Sequence, residues 1–182
     1  MAKQSSLFKR GILIALATLS LDQFHKWAML EVVHIAERQP IRLTPFFDLV
    51  ILWNNGISFG MFQHYANGRF ILSLVALTII FILLLWLRKI NKSGESFAIG
   101  LVMGGALGNV IDRLRFGAVA DFFDFHVAGY HWPAFNVADS AVCVGAFILC
   151  YTSIFVGKPR KPSTTESSGH KPSGDKHEEI PH

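Results

Sequence analysis

Charge is scarce in this chain. Only 16% of its 182 residues are Asp, Glu, Lys or Arg, against roughly 25% in soluble domains. That composition excludes a disordered chain and disfavours an ordinary soluble enzyme. The net charge of +4 does not point to nucleic acid, because the basic residues lie between apolar runs and form no stripe. Cysteine is nearly absent too. Cys143 and Cys150 share one apolar run, and seven helical residues separate them by about 10 Å along the axis, too far for a disulfide. Their presence says nothing of a redox compartment. What the chain has in quantity is apolar sequence, 51% of it, in a length that suits one domain.

Four stretches, about 11–30, 70–87, 96–113 and 136–156, are each long enough to cross a hydrocarbon core as a helix of about 20 residues. Phe70–Leu87 carries no charge and sits between Arg69 and Arg88-Lys89. The first stretch follows Lys9-Arg10, and its outer half carries Asp22, Gln23 and Lys26. Ala15-Leu16-Ala17 has the small-x-small look of a signal-peptide cleavage site. Only four apolar residues separate it from Arg10, which is short for the apolar core of such a peptide. The segment is therefore read as a span.

Lys and Arg in the short loops set the orientation. Lys3, Lys9 and Arg10, then Arg88, Lys89 and Lys92, then Lys158, Arg160 and Lys161 mark one side. Both termini are expected in the cytoplasm, with the two longer loops outside. In the third span, Gly100, Gly104 and Gly108 form one smooth helix face. Such a face admits another backbone closely, and Ala141 and Gly145 are the expected partners. After Gly157 the chain turns rich in Pro, Ser, Thr and charge. Residues 158–182 are expected to form a disordered cytoplasmic tail, its His170, His177 and His182 solvated. Residues 1–157 are read as a single polytopic membrane domain.

The outer loops are not bland. Ile41-Arg42-Leu43 alternates, Pro45 breaks, and Phe46–Trp53 is β-prone. Asn54-Asn55-Gly56 signals a turn, with a further β-prone run, Ile57–Phe62, after it. Val119–Val127, Gly129 and Tyr130–Trp132 read as a hairpin. Aromatic residues crowd both loops, which suits a location on the bilayer surface.

Charged groups in a membrane helix are costly and are functional candidates by default. Asp22 and Lys26 share a helix face at i, i+4, as an interfacial ion pair or as a substrate contact. Asn109, Asp112 and Arg113 also share a face. Asp112 and Arg113 suit capping and anchoring; Asn109, deeper, suits a backbone-binding amide. Asn136 fits an N-cap, and Asp139 stands where the acidic member of a capping box belongs, favoured by the helix dipole.

Alternation along a strand at 119–127 places Asp121 with Val119, Phe123, Phe125 and Val127, on an apolar, membrane-facing surface. Asp124 and His126 share the other face with Phe122. Burial disfavours an ionised Asp121. If Asp121 and Asp139 meet in a low-dielectric site they share a proton, and such a pair performs general acid–base hydrolysis without a metal or a nucleophilic Ser or Cys. Spacing alone does not say whether they meet.

Five blocks occur in a familiar order: Leu21-Asp22-Gln23 with Lys26; Trp53-Asn54-Asn55-Gly56 with Phe59; Gly104–Asn109 with Asp112-Arg113; Val119–Phe122; and Phe135–Ser140. Together they resemble the lipoprotein signal peptidases, also called signal peptidase II, over about residues 11–156. The resemblance implies a mainly α membrane protein with four transmembrane helices and a small outer β-sheet cradle. It implies an aspartic endopeptidase of the bacterial inner membrane that cuts prolipoproteins before a diacylglyceryl-modified cysteine. The catalytic pair then falls on Asp121 and Asp139. Asn54, Asn109, Arg113 and Asn136 are implied to hold substrate, with Asp22, Lys26 and Asp112 as support. No cofactor or metal is implied. The partners are lipidated prolipoprotein and membrane lipid, not nucleic acid, and the enzyme is read as a monomer. The block around Asn55, Ile57 and Ser58 is bulkier or more polar than the family pattern, and Ala120 replaces a usual Val; neither departure touches the aspartates.

Three rivals stand beside this reading. Asp124, His126 and His131, near Asp121, are zinc-ligand types and suggest a metal-dependent membrane hydrolase, although no H-E-x-x-H motif is present. A small transporter is disfavoured because the polar residues cluster at one face and no inverted repeat is visible. A non-catalytic scaffold does not account for five motif blocks.

Overall fold

The computed structural model describes residues 2–56 and 68–155. Helix α1, Ala2–Trp27, passes into a π-helical turn, Ala28–Val32, and a short helix α2, Ile35–Arg38. Strands β1, Ile41–Thr44, and β2, Phe47–Asn54, follow. Helices α3, Gly68–Leu87, and α4, Ser93–Phe116, come next, then β3, Val119–Val127, β4, Tyr130–His131, and α5, Val137–Phe155. Among the described residues three helices are long and apolar enough to cross a membrane: Gly68–Leu87, Ser93–Phe116 and Val137–Ile154. The β-prone run at 57–62 and the tail after residue 157 lie outside the described residues.

Helix α4 is the centre of the helical layer and packs against α1, α3 and α5. Glycine makes this possible. A Cβ on Gly100 would lie 2.7 Å from the Gly11 carbonyl oxygen, and one on Gly104 would strike that of Ala15. The predicted glycine stripe therefore abuts α1 and not Ala141 and Gly145 of α5. The α5 side of α4 is opened by Gly105, whose Cβ would strike the Ala138 carbonyl, while Gly145 approaches Ala98 from the opposite side. Glycines at 104 and 105 point about 100° apart around the axis, so adjacent positions serve two different partners. At the far end, Ser96 Oγ donates to Leu7 O at 2.7 Å and Arg10 bonds Ser93. The apolar core between the helices is built on Leu83, Leu87, Ile99 and Met103. The outward faces of α1, α3 and α5 stay apolar: Leu13, Leu74, Phe81 and Phe147 are all exposed.

Gly117, with φ +84°, ends α4 by donating its N–H to Arg113 O at 3.1 Å. A left-handed C-cap suits glycine, which has no Cβ to clash. The chain then enters a four-stranded antiparallel sheet in the order β1-β2-β3-β4. The expected hairpin is present, and its turn residues Ala128 and Gly129 both have positive φ, 50° and 82°, as a two-residue hairpin turn of this hand requires.

The β2–β3 pairing contains the irregularity that matters most for the site. Leu49 faces Phe123 and Leu52 faces Asp121, so Val50 and Ile51 stand against Phe122 alone. This bulge shifts the alternation of β2 by one residue. Asn54 is thereby turned onto the face of β3 that carries Asp121. Phe122, on the opposite face, is fully buried in a second core with Met29, Ile35 and Ile51.

Candidate active site

Asp121 is 2% exposed. It does not sit on a membrane-facing apolar surface, as alternation alone indicates; Asn54 and Asn136 reach over that part of the face, and its far end, at Phe125 and Val127, opens outward. Both its oxygens are filled by neutral amides. Asn54 Nδ2 donates to Oδ2 at 3.2 Å, and Asn136 Nδ2 donates to Oδ1 at 2.8 Å.

Asp139 lies in the first turn of α5. The predicted capping box forms: Asp139 N–H donates to Asn136 Oδ1 at 2.9 Å, and Asn136 N–H donates to Asp139 Oδ2 at 3.3 Å. The other oxygen of Asp139 accepts Asn109 Nδ2 at 2.7 Å. A cap and a partner for Asp121 are thus not alternative roles. The same Asn136 that caps α5 through its Oδ1 reaches Asp121 through its Nδ2. That amide also donates to Ala120 O and to Asn109 Oδ1, each at 3.2 Å.

No cation bonds directly to either carboxylate among the described residues. Burial, and after it the neighbouring Asp139 charge, push the Asp121 carboxyl up to about 7, while the amides of Asn54 and Asn136 act in the other direction. Asp121 therefore holds its proton to far higher pH than a free carboxyl does. Such a carboxyl can give or take a proton without a large driving force.

A cavity of about 560 Å³ opens beside Asp139, lined by Asn54, Asn109, Arg113, Trp132, Phe135 and Asp139 among others. Three of the four residues predicted to hold substrate are on its wall. Asn136 is not. It is fully buried, and its amide donates to Asp121, Ala120 and Asn109; Asp121, 2% exposed, is likewise set back from the wall. Arg113 donates from one terminal nitrogen to Asn109 O at 3.3 Å, and its Nε has no partner. Asn109, Asp112 and Arg113 do not act as one face. Asn109 turns toward Asp139, whereas Asp112 turns toward α1 and bonds Lys26 at 2.6 Å. Lys26 also bonds Asp22 at 2.8 Å, so the Asp22–Lys26 face serves an ion pair.

The metal alternative does not assemble. His131 Nδ1 lies 2.8 Å from Asp124, whereas His126 Nε2 lies 3.2 Å from Asp48. Strand pairing sets Asp48 opposite Asp124 and His126 opposite His131; the four share one face, the two imidazoles stack at 5.1 Å, and each imidazole bonds a different carboxylate. Asp121 points to the other face. Among the described residues no group of three His, Cys, Asp or Glu side chains has metal-binding geometry. Cys143 and Cys150 are free and exposed.

The sequence assigns no role to Gln23, although it stands in the Leu21-Asp22-Gln23 block; its Nε2 lies 3.2 Å from both Asp22 and Asp112. Its place one turn before Lys26 was the available signal. The bulge in β2 had none, because it arises from pairing with a strand about seventy residues away.

Comparison with known proteins identifies the family. A family model described as signal peptidase (SPase) II matches residues 14–155. A lipoprotein signal peptidase of Methylorubrum extorquens (strain PA1) is 42% identical over 158 residues, 86% of this chain and 92% of its own. One of Ralstonia nicotianae is 46% identical over 134 residues, covering 71% and 75%. Two solved structures, described as a bacterial membrane enzyme determined by the in meso method, superpose with TM-scores of 0.69. They are 27% and 28% identical and cover 83% and 80% of this chain, and 93% and 92% of their own. A model match across most of the chain, relatives above 40% identity and a shared fold lead to one conclusion: the chain belongs to the signal peptidase II family.

Proposed function

We propose that Asp121 and Asp139 are the catalytic pair of this peptidase. The observation that carries the reading is Asn136, which holds the side chain of Asp121 and both backbone and side chain of Asp139. The family's reaction is removal of the signal peptide from a prolipoprotein, and the pair supplies the acid–base chemistry it needs. With one proton shared, the ionised carboxylate takes a proton from water as the oxygen attacks the scissile carbonyl. The protonated carboxyl gives its proton to the carbonyl oxygen, forming a tetrahedral diol. Collapse of the diol breaks the C–N bond: the carboxyl that took the water's proton gives it to the leaving nitrogen, and the other carboxylate takes back a diol hydroxyl proton as the carbonyl re-forms, which restores the shared proton. Asn54, Asn109 and Arg113 on the cavity wall are the groups that hold substrate backbone.

The substrate is a diacylglyceryl-modified prolipoprotein, cut before the lipidated cysteine. Its signal helix and acyl chains both lie in the membrane, which suits an enzyme whose helices expose apolar faces all round. Residues 1–157 act as one membrane domain, with 158–182 as a tail. The fourth span is α1, whose outward Leu13, Leu16, Leu21 and Phe24 suit lipid while Asp22 and Lys26 are turned inward. Both termini are cytoplasmic, the sheet lies on the outer face of the bacterial inner membrane, and one copy suffices.

Cleavage of a diacylglyceryl-modified prolipoprotein by purified protein in detergent tests the assignment. Asp121→Asn and Asp139→Asn are expected to fold and to lose activity by roughly 10²–10⁴-fold, the range for removing a general acid or base. Chelator should leave the wild type active. Near-wild-type activity in either folded variant would sink the assignment.

A further inference from the structure

Four residues that the acid–base steps do not use form a closed ring beneath the pair. Lys26 Nζ bonds Asp22 Oδ2 at 2.8 Å and Asp112 Oδ2 at 2.6 Å. Gln23 Nε2 bonds the same two carboxylates, each at 3.2 Å. Asp22 and Asp112 are fully buried and Lys26 is 2% exposed. Gly108 leaves the room for this, since a Cβ there would strike the Asp22 carboxylate.

Each carboxylate of the ring also grips one main-chain amide. Asp22 Oδ1 accepts the N–H of Ala138 at 2.9 Å, and Asp112 Oδ2 accepts the N–H of Ala120 at 3.3 Å. Ala138 immediately precedes Asp139, and Ala120 immediately precedes Asp121. Both alanines are fully buried. The ring therefore reaches the two aspartates by equivalent routes, one residue upstream of each.

We infer that the Asp22–Gln23–Lys26–Asp112 ring is a positioning device that sets the separation of the Asp121 and Asp139 carboxylates. The inference rests on Asp121 and Asp139 being the reacting pair. None of the four ring residues touches the reacting atoms. Their effect passes through the backbone at 120 and 138, and a displacement on the order of 1 Å at a reacting group costs about 10²-fold in rate.

The test is the kcat pH profile of Asp112→Leu, which removes the grip on Ala120 while leaving Lys26 with Asp22. Expected are a kcat lower by about 10–100-fold, a KM within about twofold, and a narrower bell. Narrowing follows because two carboxyls moved apart interact less, so their apparent pKa values draw together. Asp112→Asn retains an acceptor oxygen for the Ala120 amide and should recover most of the lost kcat. A folded Asp112→Leu with wild-type kcat and bell would overturn the inference. Should Asp112→Leu fail to fold, Gln23→Leu carries the same test, with a few-fold loss of kcat and the same narrowing; an unchanged bell there overturns it equally. Asp121→Asn is run beside them. If it is inactive while the ring variants keep the wild-type bell, only the ring's role fails. If Asp121→Asn is active, the catalytic assignment fails first.

Discussion

Two carboxylate pairs lie within one polar layer of this molecule, and they are treated in opposite ways. Asp22 and Asp112 close on a buried ammonium, Lys26. Asp121 and Asp139 receive only neutral amides, from Asn54, Asn109 and Asn136. A cation offsets the cost of burying charge; an amide offsets only part of it. The first pair is thereby suited to hold helices and strands together. The second is left short of compensation, and Asp121 keeps hold of a proton up to about 7. On the catalytic assignment proposed above, the same residue type, in the same layer, serves as scaffold or reagent according to whether a lysine reaches it.

The largest expected effect of disturbing this contrast is on the scaffold side. Lys26→Met leaves Asp22 and Asp112 buried without a cation, and removing one partner of a buried ion pair costs about 3–5 kcal/mol. A large drop in detergent melting temperature, or loss of folded protein, is the expected result. An unchanged melting temperature would show that the lysine is not the compensating charge.

A smaller effect is expected on the reagent side. Asn54 stabilises the ionised form of Asp121, so Asn54→Ala should raise the Asp121 pKa further above about 7. The sign is definite: with one donor gone, the carboxylate is worse solvated and holds its proton to higher pH. The alkaline limb of kcat/KM should move up by a fraction of a unit to about one unit, the scale of a single hydrogen bond. A limb that stays in place or moves down would separate Asn54 from Asp121 in function.

The smallest effect is expected where carboxylates are answered by exposed partners. His131 is more than half exposed where it meets Asp124. His131→Ala should cost no more than about 1 kcal/mol of stability, as for exposed pairs generally. Cleavage should be unchanged with and without chelator. A loss of activity rescued by zinc would revive the metal reading of the hairpin.

Much of the fold was legible before any coordinates. Three of the four apolar stretches coincide with helices long and apolar enough to cross a membrane, because length and lack of charge are local properties. The hairpin at 119–131 and the capping box at Asn136 and Asp139 were legible for the same reason. The helix partners were not. The stripe of Gly100 and Gly104 was visible, but which helix fills it depends on how α4 is rotated, and α1 takes that face. Asn136 was read as a substrate-binding residue from its motif. Its burial and its bonds to both aspartates are properties of packing.

The sequence by itself determined the class of molecule: apolar spans, aromatic outer loops, and aspartates placed at a strand and at a helix start. These follow from period, composition and capping, which act over a few residues. Only the tertiary structure decided which carboxylates meet a cation and which meet amides. That outcome depends on a bulge in β2 that turns Asn54 toward Asp121, and on glycines that let α1 and α5 approach α4 from two sides. Both bring together residues far apart in the chain, and charge compensation in a low-dielectric layer is set by which groups arrive there.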